Sequence, residues 1–126
     1  MFSRYIVYYS NMISYEDFKK VEIRAGKILS AEKIPETDKL LKLSVDFAEK
    51  DEAGLTKARQ IVSGISTYFP DPAVLVGKTC MFVANLEPRM IRGFESNGML
   101  FAVSGPDGAF SLLEPNSAIP PGSMAA

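Results

Sequence analysis

The sequence contains no histidine, and its single cysteine, Cys80, lies in the apolar segment "TCMFVAN". Without histidine the commonest general base and metal ligand is missing, and no Cys, His and carboxylate spacing resembles a metal site. One cysteine excludes an intramolecular disulfide, and a thiol in such a segment behaves as a small hydrophobe, which fits a reducing, cytoplasmic compartment. No apolar run approaches the roughly 18 to 20 residues that span a bilayer, so no membrane is expected. The start "YIVYY" is too short for a secretory h-region and is followed by no small-residue cleavage site, so no signal peptide is expected. The glycines form neither a G-x-G-x-x-G nor a Walker pattern, so no nucleotide cradle is indicated. Neither a cofactor nor a metal is expected. After Arg92 there is no Lys or Arg at all.

What is present is the composition of one globular domain of 126 residues, 47% hydrophobic and 23% charged. Lys and Arg total 14 against 15 acids, and a net charge of −1 argues against non-specific coating of nucleic acid. Yet seven of the 14 basic residues fall between Lys19 and Lys42, which leaves room for a local basic face. Residues 1–13, rich in tyrosine and β-branched side chains, favour an extended strand. Either they pack on the body or on a partner chain, or translation begins near Met12.

"SYEDFKK" reads as a short helix, with Ser14 as cap, acids in its first turn and Lys19 and Lys20 at its end. From Val21 a long strand runs through Ile23, Ala25 and Ile28, bent by a bulge at Gly26. "LLKLSVDF" alternates cleanly, with Leu41, Leu43, Val45 and Phe47 on one face. "LTKARQIVSGI" makes a third strand, "DPAVLVG" a turn or helical element, and "KTCMFVAN" and "GMLFAV" strands four and five. A Pro-Asp-Gly turn and a short apolar run add a hairpin before a coil tail. The expected fold is all-β with a short helix, a five-stranded OB-fold barrel with N- and C-terminal extensions: 1–13 an extension, 14–122 the barrel domain, 123–126 a tail.

In such a barrel the segments 33–39 and 85–96 are the loops that flank the oligonucleotide-binding face. Lys33, Lys39, Lys42, Arg59, Arg89 and Arg92 would then share one face and hold phosphates, with Arg able to stack on a base as well. Taken singly, each is an ordinary solubilising charge. Asn85 and Ser96 divide evenly between tying the loop to its own backbone and touching a base. Met99, Phe101 and Val103 read as core. The carboxylate pairs Glu36 with Asp38 and Glu49 with Asp51 read as solvated surface.

The segments "DFKKVEIRAGKI", "TDKLLKLSVD", "RQIVSGI", "LVGK" and "VANLEPRMIRGFESNGML", with the closing "IPPGS", come in an order that closely resembles the tRNA-binding domain family. This OB-fold module occurs at the C-terminus of many methionyl-tRNA synthetases and in free-standing tRNA-binding and secretion-chaperone-like proteins. The resemblance covers about residues 14 to 122. It implies a non-catalytic protein that reads the folded shape of tRNA. Such a protein is usually a homodimer and acts alone or in trans with an aminoacyl-tRNA synthetase. Positions matching the family's binding surface are Lys39, Arg59, Asn85, Arg89, Arg92, Ser96 and Met99; Lys33 and Lys42 are added on charge alone. The leader and the C-terminal hairpin are the surfaces open to a dimer.

Glu87 and Met90 depart from the family pattern, standing where relatives often have lysine, and Ala48 stands where glycine is common. Fewer cations flatten the salt dependence, by roughly one unit of slope for each phosphate left unneutralised. That keeps the chaperone-like peptide-binding role as the alternative, with Tyr5, Ile6, Val7 and Tyr8 as its apolar surface. A general single-strand binder would need exposed aromatics, and the two loops offer only Phe94.

Overall fold

Ser14 starts the chain's one α-helix among the described residues, as expected. Its hydroxyl accepts the Asp17 N–H at 3.0 Å and opens α1 (Tyr15–Lys19), while Lys20 closes it after a single turn. The computed structural model describes residues 11–126, so the reading of 1–13 as a strand, and Tyr5 to Tyr8 with it, lies almost wholly outside the described residues. Among the described residues no helix is long and apolar enough to cross a membrane.

β1 (Ile23–Lys33) is the organising strand, because eleven residues are long enough to serve two partners on two edges. Its first half pairs antiparallel with β4 (Thr79–Val83) and its second half with β2 (Leu41–Asp46). β3 (Arg59–Ser63) pairs with β2, and β7 (Met99–Leu100) with β4, giving one antiparallel sheet in the order β3-β2-β1-β4-β7. The register slips between Ile28 and Ser30, so the bulge falls at Leu29 rather than at Gly26. Gly26 answers a different need: a Cβ there would lie 2.6 Å from Val45 and 2.8 Å from Phe47, inside the core.

β2 shows why the fold forms. Leu41, Leu43 and Val45 are fully or almost fully buried, whereas Lys42, Ser44 and Asp46 are half-exposed on the other face. Ile28, Ile61, Cys80, Phe82 and Leu75 complete the centre, with Phe47 edge-on to Phe82 at 5.3 Å. Leu75 comes from a short 3-10 turn, Pro72–Leu75, capped by the Asp71 carboxylate, and is fully buried against the barrel core. Each such side chain contributes roughly 1.5 to 3 kcal/mol by leaving water. Burial also pushes the Cys80 thiol up to about 11, so it stays protonated and inert.

Two expectations for the C-terminal half need correcting. The fifth strand is only two residues long; after Phe101 the chain makes a separate hairpin of β8 (Ala102–Ser104) and β9 (Phe110–Leu112). Leu100 faces the core while Met99 and Val103 face outward, the reverse of the alternation expected. The tail is irregular, yet it is tied to the sheet. Gly122 N–H donates to the Ala25 carbonyl (2.7 Å), Ala25 N–H to the Ser123 carbonyl (2.8 Å) and Ala125 N–H to the Ile23 carbonyl (2.8 Å). Residues 122–125 thus cover the edge of β1 that β2 leaves open.

Closure between β3 and the far end of the sheet is made without a regular ladder. Asn97 N–H donates to the Gln60 carbonyl (2.8 Å), and Val62 N–H donates to the Ser96 hydroxyl (3.0 Å). The barrel is nearly closed, and side chains share the work of the seam.

Candidate nucleic-acid interface

The segment 85–96, expected as a loop, is a hairpin of β5 (Arg89–Ile91) and β6 (Phe94–Ser96). Arg89 faces Ser96, Met90 faces Glu95 and Ile91 faces Phe94, so only Arg92 and Gly93 form the turn. Both have positive φ, 52° and 87°, the geometry of a two-residue type I′ turn that right-handed strand twist favours. Gly93 adopts this freely, whereas Arg92 does so against the steric preference of an L side chain. Pro88 and the three-residue strand length hide the alternation that would have revealed the hairpin in the sequence.

This hairpin lies against β3, tied by Gln60 Nε2 donating to the Glu95 carbonyl at 3.0 Å, and its tip reaches the loop between β1 and β2. There Arg92 Nη2 donates to the Glu36 carbonyl at 3.0 Å. The loop is held in shape by Thr37, whose hydroxyl donates to the Ile34 carbonyl at 2.7 Å, and by Ile34 N–H donating to the Leu40 carbonyl. Between loop and tip runs an open groove of about 340 Å³, lined by Glu36, Thr37, Asp38, Lys39, Leu40 and Arg92. The fold thus brings Lys39 and Arg92 together from positions more than fifty residues apart.

The other expected site residues divide into two groups. Lys33 and Arg89 are exposed, and among the described residues none of Lys33, Lys39, Arg89 and Arg92 lies within 4.0 Å of a carboxylate. Lys42 stands half-exposed, its ammonium 5.0 Å from the Phe94 ring centroid and 3.8 Å from Glu32. Met99, 46% exposed, shares a small cleft with Arg89, Ile91 and Ser96.

The second group is engaged within the chain. Ser96 is 4% exposed and both accepts from Val62 N–H and donates to the Gly98 carbonyl, so its hydroxyl is occupied by the seam. Asn85 accepts the Glu22 N–H at 2.8 Å and donates to the Lys20 carbonyl at 2.6 Å, fastening the end of β4 to the link between α1 and β1. Both residues thus tie backbone to backbone. Arg59, expected among the phosphate-binding cations, does not stand free: Nε and Nη2 each donate to Glu49 at 2.8 Å, and Nη1 donates to the carbonyls of Ala84 and Asn97.

Glu49 is the participant that sequence reasoning missed, since an acid in a charged turn reads as solvated surface. Lys57 N–H donates to the Glu49 carbonyl and Lys50 bridges Thr56, so the β2–β3 connection folds back and sets Glu49 beside Arg59. Arg59's hydrogen bonds hold the Glu49 carboxyl below its ordinary range, and Glu49 in turn raises Arg59. The signal available was only that the two residues sit ten apart, on either side of the connection between the second and third expected strands.

Residues 23–124 match the family model described as "Putative tRNA binding domain". The chain is 49% identical over 111 residues to a methionine–tRNA ligase of Methanoregula boonei, covering 88% of this chain and 15% of that protein. It is 40% identical over 110 residues to the enzyme of Enterococcus faecalis, covering 87% and 16%. The chain therefore spans only about one-sixth of the curated relatives it matches. Among solved structures, a MetRS-related protein from Pyrococcus horikoshii superposes with TM-score 0.80 at 35% identity, covering 92% of this chain and 99% of that one. The chaperone CsaA of Bacillus anthracis superposes with TM-score 0.74 at 28% identity, covering 91% and 99%.

Proposed function

Because the chain belongs to the tRNA-binding domain family, we propose that it holds folded tRNA without catalysing a reaction on it. It docks on the sugar–phosphate backbone through the face built by β2, the 34–40 loop and the β5–β6 hairpin. The observation that carries this reading is the juxtaposition of Lys39 and Arg92 across one open groove, with Lys42 over Phe94 of the same hairpin. Cations at fixed separations on two rigid elements match phosphates at fixed separations, so a folded RNA is favoured over a flexible strand. Phe94 is already engaged with Lys42, which leaves little for stacking successive unpaired bases.

The protein would act in the cytoplasm, alone or in trans with a methionyl-tRNA synthetase, raising the local concentration of tRNA. A homodimer belongs to the same proposal and is checked by sedimentation equilibrium. The binding test is a titration with bulk folded tRNA at two salt concentrations, with a single-stranded oligonucleotide and a random duplex as controls. Tighter, salt-sensitive binding to tRNA is expected; equal binding to all three would sink the proposal.

A second reading, a chaperone-like peptide-binding homodimer, draws on the likeness to CsaA. It also draws on an apolar groove of about 230 Å³ where Tyr15, Phe18, Val21 and Met124 stand exposed. On that reading Arg92→Ala leaves suppression of client aggregation intact.

A further inference from the structure

Arg59 uses its Nε, Nη1 and Nη2 donors inside the chain, and the choice of acceptors is specific. Ala84 and Asn97, whose carbonyls share Nη1, are the two residues that immediately flank the segment 85–96. One guanidinium therefore grips both feet of the hairpin that carries Arg89 and Arg92. The plane of that guanidinium is fixed by the two-point pairing with Glu49, and its carbon lies 5.0 Å from the Phe47 ring centroid. Phe47 is itself buried in the core, so the grip is referred to the packed core of the barrel.

We infer that Arg59 is a positioning residue that sets the β5–β6 hairpin against the barrel, with Glu49 orienting it, and that the discrimination of folded tRNA depends on this pair. The inference rests on the reading of the hairpin face as a tRNA site. As a phosphate contact Arg59 would have to abandon a two-point ion pair and leave two carbonyls without their donor. As a positioning residue it keeps every bond, and the exposed Arg89 and Arg92, the latter holding the Glu36 carbonyl through Nη2, meet the RNA. A lysine cannot replace it, because an ammonium is a point charge and lacks the planar fork that serves a carboxylate and two carbonyls at once. A hairpin released from the grip keeps its charge but loses its fixed distance to Lys39.

Two substitutions in the full chain separate the roles, Arg59→Lys, which keeps the charge, and Glu49→Gln, which removes the orienting acid. Affinity for folded tRNA and for a random duplex is measured across a salt series. Amide signals of residues 89–96 are recorded without RNA. For both variants the expected result is a loss of tRNA affinity of about tenfold, the scale of one charge-assisted contact. Duplex affinity and salt slope stay unchanged, and the hairpin amides shift while those of β1 and β2 remain. A phosphate-contacting Arg59 predicts the opposite for Glu49→Gln, stronger binding to tRNA and duplex alike, and that outcome overturns the inference. Wild-type behaviour of Arg59→Lys does so too. Should the unmodified protein show no preference for tRNA, the functional reading fails on its own. The amides then decide: hairpin signals unmoved in both variants refute the positioning role.

Discussion

Arg92 occupies the position of the β5–β6 turn where its side chain is exposed and its backbone is least comfortable. A non-glycine residue at φ 52° carries roughly 1 to 2 kcal/mol of steric cost, which asparagine bears more lightly than arginine. Strain of this kind is retained where the side chain is needed. Arg92→Asn should therefore raise the melting temperature by about 2 to 4 °C, consistent with a gain of up to about 1 kcal/mol. The same change should lower the slope of log K for tRNA against log salt by roughly 0.7 to 0.9. Calorimetry and a salt titration check the two halves. A variant that gains stability and keeps the slope would remove Arg92 from the phosphate contacts. The sequence marks Arg92 as a binding residue because it lies in the segment 85–96 that flanks the binding face of such a barrel and matches the binding surface of the family it resembles. It does not mark the strain, because Arg in place of the usual Asn conceals an Asn-Gly-type turn.

At the scale of elements, legibility followed side-chain pattern. β2 was plain because its apolar residues alternate over six positions with no interruption, and α1 because Ser14 and the charged ends obey capping and dipole rules. The bulge is misplaced by sequence reasoning since glycine commonly marks one, whereas here Gly26 yields space to Val45 and Phe47, and Leu29 takes the extra residue. β5–β6 reads as a loop because three-residue strands give periodicity nothing to act on. The internal hydrogen bonds of Arg59 and Asn85 are out of reach, for their partners lie up to 65 residues away. Ser96 makes an element-scale prediction. Ser96→Ala leaves the buried Val62 N–H without an acceptor, costing about 1 to 3 kcal/mol in a urea melt. Because the hydroxyl is engaged within the seam, salt slopes for tRNA should be unaltered in the folded variant; a flattened slope would return Ser96 to the binding surface.

For the whole molecule, the Glu49–Arg59 pair links closure of the barrel to pH. Hydrogen bonds from Arg59, reinforced by the charges of Lys57 and Arg24 and opposed by partial burial, depress the Glu49 carboxyl in the folded state. The folded chain thus holds fewer protons than the unfolded one near the ordinary carboxylate range. The pair's contribution is complete above that range and disappears as pH falls through the depressed value. Thermal melts from about pH 7 to about pH 3 should show the wild type losing its advantage over Glu49→Gln as acid is added. A constant gap between the two curves would mean that the pair has no part in the acid limb.

β1 and residues 122–125 have a consequence for the time course of assembly. Ala25 pairs with Ser123 across nearly the full length of the chain, and β1 with β4 across more than fifty residues. Contacts so distant in sequence reward the chain only after long loops have closed, which places refolding in the millisecond-to-second regime typical of small barrels rather than the microseconds of helical bundles. During synthesis the hydrogen bonds that residues 122–125 make to β1 near Ala25 cannot form until residue 125 has emerged, so the nascent barrel lacks that edge cover until this segment docks.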